Sequence, residues 1–249
     1  MTMRIMAVVT AWQRPAVTRA CYRALTRVEL PRHWELNVQI AGSEGSVSRA
    51  MAEEFGFRYI ETQNQPLSAK HNAMVKATRS ADWNYLWLLG SDSIVSPNIL
   101  REIYQPALAD NPRWCGLRDM YFFAEGVLWY WPGYQSVRTP THKRPRPDSL
   151  GAGRMFSRAT VEIQKWELWK SHISRGLDWN CFLRLNGAGV PETHLRLWPD
   201  GGDPTPARLI ELRTEQQITN WRYFEIGCQP LRRVEVDAQA ASMLEGWIK

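Results

Sequence analysis

YLWLLGSDSIVSP, residues 85–97, is the stretch that decides the fold class of this 249-residue chain. Its first five residues are apolar without a break, which is typical of a strand buried on both faces of a sheet. The run ends at Gly90-Ser91-Asp92-Ser93, and beyond Pro97 apolar residues recur every three or four positions, as in a helix. The pattern therefore predicts a carboxylate at the carboxyl end of a central strand, where α/β sheets bind ligands. The alternative is that Asp92 only shapes a turn or caps the next helix.

The residues on either side predict a single α/β domain, because three strand–loop–helix units precede this strand. Before it we predict strands over Arg4–Thr10, Leu36–Ala41 and Phe57–Glu61, and helices over Ala16–Thr26, Ser48–Phe55 and about Gln65–Arg79. After it we predict short aromatic strands between Trp114 and Gln135, and helices over about Arg158–His172 and Val234–Lys249. We expect the last of these helices to lie on the surface.

Composition favours a cytoplasmic protein with anionic partners. No apolar stretch approaches the length that spans a bilayer, and the N-terminus lacks a cleavable signal pattern, so we expect no membrane anchor. Lys and Arg exceed Asp and Glu by six, and there are 13 tryptophans, which suits nucleotide diphosphates or nucleic acid and stacking on sugars or bases. The cysteines share no metal-ligand spacing and are expected to be buried reduced thiols: Cys21, Cys115, Cys181 and Cys228.

The central stretch resembles the acidic motif of GT-A type glycosyltransferases of the family 2-like group. In that group a similar strand ends in D-x-D before a proline, and the carboxylates hold a divalent metal against a nucleotide-sugar diphosphate. Here Gly90 stands at the first Asp, Asp92 keeps the last, and Ser93 replaces a frequent further Asp. The resemblance implies that Asp92 binds Mn²⁺ or Mg²⁺ and the donor diphosphate. With one carboxylate, such a metal site is weak until the diphosphate supplies oxygens.

The same resemblance divides the chain and implies a GT-A type sheet, mixed but mainly parallel and flanked by helices. Residues 1–110 would be the nucleotide-binding half, and residues 111–249 would be the acceptor-side half with a C-terminal elaboration. The turn TAWQRP, residues 10–15, is similar to the T-x-Y-x-R-P opening of the family. It implies that Trp12 stacks on the nucleobase and that Thr10, Arg14 and Ser91 also bind the donor. The alternative for Trp12 is a hydrophobic plug in the core.

Three further residues are expected on the donor side by resemblance. Glu44, in the turn after the second predicted strand, matches an acidic residue that contacts the base or ribose. Lys70 would present its charge to the diphosphate, and Asn72 would bond the nucleotide or brace the Asp92 loop. The alternative for Lys70 is a solvated side chain on an amphipathic helix.

The acceptor side has two motifs in order. The small residues of LGAGRMFSR, residues 150–158, permit close backbone approach, and Arg154 is expected to point a fixed cation toward the acceptor. The sequence GLDWNCFLRL, residues 176–185, resembles the later acidic motif of the family, which implies that Asp178 is the catalytic base. The alternative is an Asp favoured at a helix start by the helix dipole.

The resemblance of these motifs implies a glycosyltransferase that moves a sugar from a nucleotide-sugar to an acceptor hydroxyl with inversion of the anomeric centre. The segment RTPTHKRPR, residues 138–146, is too rich in Pro and charge for the core, and its Lys143, Arg144 and Arg146 favour an anionic acceptor. The compact chain also resembles glycosyltransferases of bacteriophages, some of which act on DNA, so hydroxymethylated DNA bases are the leading acceptor. A small saccharide or cell-surface glycan is an equal alternative.

Two other classes of protein remain open on sequence grounds. A nucleotidyltransferase shares the α/β sheet and an acidic metal site, but it normally has a Gly-rich basic signature where this chain has AWQRP. A non-catalytic nucleic-acid-binding protein is suggested by the basic balance and the tryptophan content.

Overall fold

The computed structural model describes residues 2–134, 147–214 and 231–247. Its strands, in chain order, are β1 (Met3–Thr10), β2 (Trp34–Gly42), β3 (Arg58–Glu61), β4 (Tyr85–Gly90), β5 (Ser93–Val95), β6 (Trp114–Leu117), β7 (Met120–Ala124), β8 (Val127–Trp131), β9 (Met155–Ser157), β10 (Thr193–Leu195), β11 (Leu209–Leu212) and β12 (Arg232–Val234). Its helices are α1 (Pro15–Thr26), α2 (Ser46–Glu54), α3 (Leu67–Ala77), α4 (Gln105–Leu108), α5 (Arg158–Ile163), α6 (Leu177–Gly187) and α7 (Ala238–Met243). A π-helical turn, Leu100–Tyr104, runs directly into α4.

A seven-stranded sheet in the order β10-β6-β9-β4-β1-β2-β3 forms the centre of the fold. Its strands are parallel except β9, which is antiparallel to both β4 and β6. The unbroken apolar runs of β1 and β4 lie side by side in the middle, buried on both faces as their sequences predict. This arrangement confirms the predicted α/β class and the mixed, mainly parallel sheet.

A second sheet, in the order β12-β8-β7-β11-β5, packs at the edge where the parallel strands end. The chain leaves β4 in the first sheet and enters β5 in the second across only two residues, Ser91 and Asp92. The backbone N–H of Leu212 donates to the carbonyl oxygen of Asp92 at 2.9 Å, so β11 is tied directly to this connection. The predicted carboxylate therefore lies where the two sheets meet.

The predicted strands and helices before residue 90 are confirmed with small shifts at their ends, but two later helices are corrected. The helix predicted over Arg158–His172 ends at Ile163, because Lys165 and Trp166 have left-handed backbones with φ of 53° and 64°. The surface helix predicted over Val234–Lys249 is shorter than expected: Val234 ends β12, and the helix is α7, whose residues are at least partly exposed except for the buried Ala240.

Three of the cysteines, Cys21, Cys115 and Cys181, are buried free thiols, as predicted, and Cys228 lies outside the described residues. Within the described ranges, every helix is too short or too polar to cross a membrane.

Asp119 ties the second sheet to the segment after β10. Its buried carboxylate accepts the backbone N–H groups of Leu197 at 2.7 Å and Trp198 at 2.9 Å, and the hydroxyl of Tyr130 at 2.9 Å. Three donors on one carboxylate compensate for the cost of burying its charge.

Asp119→Ala should lower the free energy of unfolding by about 3 kcal/mol or more, because it leaves two buried N–H groups and a hydroxyl without an acceptor. The matched variant Tyr130→Phe removes one of these bonds and should cost about 1 kcal/mol. Urea unfolding of the two variants measures both values, and equal losses would show that the backbone bonds of Asp119 add nothing.

Candidate active site

A pocket of about 150 Å³ opens at the carboxyl ends of β1 and β4. Six of the predicted donor residues line it: Thr10, Trp12, Arg14, Lys70, Ser91 and Asp92. A larger cavity of about 310 Å³ lies between α1 and α7, and none of the predicted site residues lines it. We therefore take the smaller pocket as the candidate site, since it is the one to which the sheet topology brings polar groups.

The turn after β1 presents Trp12 to solvent. Trp12 is 40% exposed, which argues against the alternative of a hydrophobic plug. The next two residues, Gln13 and Arg14, both have left-handed backbones with φ of 53°. Glu44 stabilises this turn, because its Oε2 accepts the N–H of Gln13 at 2.8 Å and the hydroxyl of Ser48 at 3.2 Å. The structure thus places Glu44 behind the turn rather than in the pocket lining.

Arg14 and Asp92 form an ion pair in the pocket wall. Nη1 of Arg14 lies 3.3 Å from Oδ2 of Asp92, and its Nη2 donates to the hydroxyl of Ser91 at 3.4 Å. The two side chains are 15% and 16% exposed, so water screens the pair less than it screens surface pairs. The predicted donor residues of the two loops are therefore in direct contact.

Gly90 and Ser93 explain the departure from the D-x-D pattern. A Cβ at Gly90 would lie 2.5 Å from Oδ1 of Asp92, so a larger residue there would force the Asp92 side chain out of this conformation. The N–H of Gly90 donates to the hydroxyl of Ser93 at 3.1 Å, which closes the turn. The motif is thus built around one carboxylate.

Lys70 lies beneath the pocket and not in the solvent, so the alternative of a solvated helix lysine is wrong. Its ammonium donates to the carbonyl oxygen of Ala11 at 2.6 Å, the hydroxyl of Ser43 at 2.6 Å and Oδ1 of Asn64 at 3.2 Å. Burial lowers the pKa of Lys70 to about 8, against the opposing charges of nearby carboxylates. All three donors of the ammonium join the loops that form the pocket, so Lys70 stabilises the pocket floor.

Asn72 is also placed differently from the prediction. Its Oδ1 accepts the backbone N–H groups of Leu168 at 3.1 Å and Trp169 at 3.2 Å, and its Nδ2 donates to the carbonyl oxygen of Trp169 at 2.9 Å. The amide therefore braces the irregular segment after α5 and does not reach the Asp92 loop or the pocket lining.

Arg154 is corrected from an acceptor-side cation to a buried structural one. It is fully buried; its Nη1 donates to the carbonyl oxygen of Asp178 at 3.0 Å and its Nη2 to that of Ser149 at 2.7 Å. Asp148 lies 3.7 Å away as its ionic partner, and the guanidinium lies over the ring of Trp114. Arg154 thus holds the backbone of Asp178 from below.

Asp178 lies in the first turn of α6, after Gly176 with φ of 66°. Its Oδ2 accepts the hydroxyl of Tyr134 at 3.1 Å. A Cβ at Gly151 would lie 2.2 Å from its Oδ1, so the glycine of the GAGR turn is required by the close approach of this carboxylate. The two motifs predicted on the acceptor side therefore meet at Asp178.

Glu211 on β11 is a site residue that the sequence prediction missed. It pairs with Arg213 and also lies close enough to Asp92 and Asp178 to interact with both charges. Burial raises the pKa of Glu211, and these two carboxylates raise it further, against the opposing effect of Arg213. The signal in the sequence was one acid inside the apolar strand Leu209–Leu212. Glu211 pairs with Ser93 across β11 and β5, which places it next to the Asp92 connection.

His71 is a second missed residue. Its Nε2 lies 3.3 Å from the hydroxyl of Thr10, and its ring contacts Trp169 edge to face at a centroid distance of 4.9 Å. Nδ1 is buried and has no hydrogen-bond partner among the described residues. Burial and the charge of Lys70 lower the pKa of His71 to about 4, although Asp178 opposes the shift. His71 is therefore a neutral side chain at neutral pH.

The described residues do not fit a divalent metal site held by the protein. Asp92 is the one carboxylate of the motif, and it pairs with Arg14, while Glu211 pairs with Arg213. Across residues 2–134, 147–214 and 231–247, no three His, Cys, Asp or Glu side chains come together as metal ligands. The prediction that Asp92 binds Mn²⁺ or Mg²⁺ gains no support from this geometry.

The predicted basic acceptor segment, with Lys143, Arg144 and Arg146, lies outside the described residues.

Comparison with known proteins agrees with the fold. Residues 3–121, a little under half of the chain, match the family model described as "Glycosyltransferase like family 2". Solved structures of S. aureus TarS 1-349 are similar: the complex with UDP-GlcNAc has a TM-score of 0.58 at 12% identity over 86% of this chain. The complex with UDP has a TM-score of 0.54 at 11% identity over 85% of this chain. A search of curated protein sequences found no match.

These likenesses show that the fold is of the GT-A type. At identities of 11% and 12%, the likeness to the TarS structures is evidence for a shared fold and not for a shared activity. The chain spans about 60% of the length of the TarS structures that it matches.

The pH dependence of stability tests the burial of His71. Between about pH 6.5 and pH 4 the unfolded chain binds a proton at His71 that the folded chain does not, so acid lowers the free energy of unfolding, by up to about 3 kcal/mol. His71→Gln keeps a partner for Thr10 but does not titrate, and it should flatten this dependence. Urea unfolding across that pH range measures it, and parallel curves for the two proteins would contradict a buried neutral His71.

Proposed function

We propose that the protein is a glycosyltransferase that moves a sugar from a UDP-sugar to an acceptor hydroxyl. The observation that carries the proposal is the pocket at the carboxyl ends of β1 and β4 in a GT-A type sheet, whose wall holds the Arg14–Asp92 pair beside Trp12 and Ser91. The likeness to TarS, one of whose structures is a complex with UDP-GlcNAc, supports a UDP-sugar as donor. The match of residues 3–121 to a glycosyltransferase family model supports the reaction class.

Different residues of the pocket contact different parts of the donor. The exposed ring of Trp12 stacks on the nucleobase, and the Arg14–Asp92 pair with Ser91 faces the diphosphate. Thr10, held by His71, completes the wall between the diphosphate and the sugar. Glu44 and Lys70 act from behind by fixing the loops, so the donor meets a preformed pocket.

Asp178 acts as the general base in this proposal. Its carboxylate takes the proton of the acceptor hydroxyl, whose oxygen attacks the anomeric carbon; the bond from that carbon to the diphosphate breaks, and its electron pair leaves on the diphosphate. One direct displacement inverts the anomeric centre. The hydroxyl of Tyr134 and the contact with Gly151 hold the carboxylate in place for this step. No step is assigned to Mn²⁺ or Mg²⁺, because the described residues do not fit a site for them.

Two variants should separate chemistry from donor binding. Asp178→Asn should reduce UDP release from UDP-sugars by about 10²–10⁴-fold, because the base is lost, and leave UDP affinity within about twofold. Trp12→Ala should weaken UDP binding about tenfold or more, since one base–aromatic stack contributes about 1–3 kcal/mol. Calorimetry with UDP and a UDP-release assay on several UDP-sugars give both numbers.

The opposite pattern would refute the assigned roles. An Asp178→Asn variant that loses UDP affinity as much as turnover would place the residue in the donor site or in folding. A Trp12→Ala variant with unchanged affinity and a lower melting temperature would place the ring in the core. If the wild-type protein neither binds UDP nor releases it from any UDP-sugar, a non-catalytic nucleic-acid-binding protein or a nucleotidyltransferase becomes the better explanation.

For the acceptor we propose an anion, with hydroxymethylated DNA bases as the first candidate. Residues 138–158 contain six Lys or Arg and one acidic residue, Asp148, so this segment has a net charge of +5, against +6 for the whole chain. Two of the six are engaged within the fold: Arg154 is buried, and Arg158 donates to the carbonyl oxygens of Ala81 and Arg79 at 2.7 and 2.9 Å. The proposal therefore rests on the four cations of residues 138–146.

Duplex DNA titrated at several salt concentrations tests the anionic acceptor. Replacing Lys143, Arg144 and Arg146 together with Ala should lower the salt slope by about one for each lost phosphate contact. The control removes the same charge at Arg23, Arg27 and Arg32, which are exposed on α1 and the segment after it, and should leave the slope unchanged. Absence of binding at low salt, or an equal effect of the control, would discard DNA and favour a neutral saccharide.

A further inference from the structure

We propose that Arg14, held by Asp92, is the cation that stabilises the leaving diphosphate, and that donor binding and turnover therefore need no divalent metal. The inference rests on the proposed function. It assigns to Arg14 the neutralisation of diphosphate charge that the D-x-D resemblance would assign to a metal ion. It makes Arg14 a catalytic residue, because the guanidinium would touch the departing phosphate oxygens.

The position of the guanidinium supports this role. It lies in the pocket wall, 3.3 Å from Oδ2 of Asp92 and 3.4 Å from the hydroxyl of Ser91. A guanidinium has five N–H donors in a planar fork, and these two contacts leave others for phosphate oxygens. An arginine suits a diphosphate better than a lysine, because two parallel N–H groups can meet two oxygens.

The backbone supports the same role. Arg14 has φ of 53° and ψ of 55°, a left-handed conformation that is unfavourable for a non-glycine residue. Neighbouring contacts hold it there: Glu44 accepts the N–H of Gln13 at 2.8 Å, and the N–H of Thr18 donates to the carbonyl oxygen of Arg14 at 3.0 Å. A strained residue that its surroundings fix in one place is preorganised, and the guanidinium of Arg14 lies beside Asp92 in this conformation.

Gly90 supports the same assignment. A Cβ at position 90 would lie 2.5 Å from Oδ1 of Asp92, so this conformation of Asp92 leaves no room for a second motif carboxylate. The partner of the single carboxylate is the Arg14 guanidinium, at 3.3 Å.

Other cations of the site are already committed. All three donors of the Lys70 ammonium are bonded beneath the pocket. Arg213 pairs with Glu211 and lies over the ring of Phe122. Among the described residues that line the pocket, Arg14 is therefore the cation placed to meet the diphosphate.

The competing interpretation is that Arg14 pairs with Asp92 only while no metal is bound, and that a metal ion displaces Arg14 from Asp92. Metal-stripped protein separates the two. With excess EDTA, UDP affinity and UDP release from UDP-sugars should stay within about twofold of the values with added MnCl₂. If EDTA abolishes UDP binding or UDP release and Mn²⁺ restores it, a metal stabilises the diphosphate in place of Arg14. The inference is then wrong, while the proposed function stands.

Variants of Arg14 test the residue itself. Arg14→Ala keeps a residue with the same backbone preference and should lower turnover about 10²–10³-fold, as the loss of one transition-state donor does. It should also weaken UDP binding but leave uridine binding unchanged, because uridine lacks the diphosphate. Arg14→Lys should fall between, since it keeps the charge and loses the fork. Arg23→Ala, an exposed arginine on the same helix, is the matched control and should behave as wild type.

The outcomes are distinguishable. Equal weakening of uridine and UDP by Arg14→Ala would show that the variant disturbs the Trp12 turn, and Arg14 would then be structural. Normal turnover in Arg14→Ala under EDTA would also overturn the inference. If wild-type protein binds neither UDP nor uridine and releases no UDP, with or without Mn²⁺, the proposed function itself fails.

Discussion

The parallel pairing of β1 with β4 is the constraint on which the candidate site depends. The register sets Val9 against Leu89 and Thr10 against Gly90, so both strands end at the same level. The polar residues of the site come directly after these strand ends: the Trp12–Arg14 turn follows β1, and Ser91 and Asp92 follow β4. Two apolar runs buried on both faces cannot slip along each other without exposing their ends, so the core keeps the turns that carry Arg14 and Asp92 at the same edge of the sheet.

A buried cation plays the corresponding part on the acceptor side. Arg154 bonds the backbone of Asp178 and of Ser149, so it ties the start of α6 to the loop before β9. Removal of its charge from water is compensated by Asp148, by those carbonyl groups and by the face of Trp114. The position of the proposed base therefore depends on the fold of the second half, as the position of Asp92 depends on the first.

The sequence predicted the class of fold and the order of the motifs, because both depend on patterns of neighbouring residues. Unbroken apolar runs and the turns after them are visible at Tyr85–Gly90, and the small residues before Arg154 are visible as a turn. It did not predict which way long polar side chains point. Lys70 and Arg154 both stand in loop-flanking positions typical of ligand contacts, yet both turn into the fold, where backbone carbonyl groups satisfy them. Nor did it find Glu211, whose role arises only when β11 is placed against the Asp92 connection.

The two proposed functional carboxylates share one structural device. A Cβ on Gly90 would lie 2.5 Å from Oδ1 of Asp92, and a Cβ on Gly151 would lie 2.2 Å from Oδ1 of Asp178. Each glycine lets a carboxylate lie against backbone, so that its other oxygen is directed at one partner, Arg14 for Asp92 and Tyr134 for Asp178. The glycine that breaks the D-x-D pattern is therefore part of the site, because it makes room for the aspartate that holds the proposed catalytic cation.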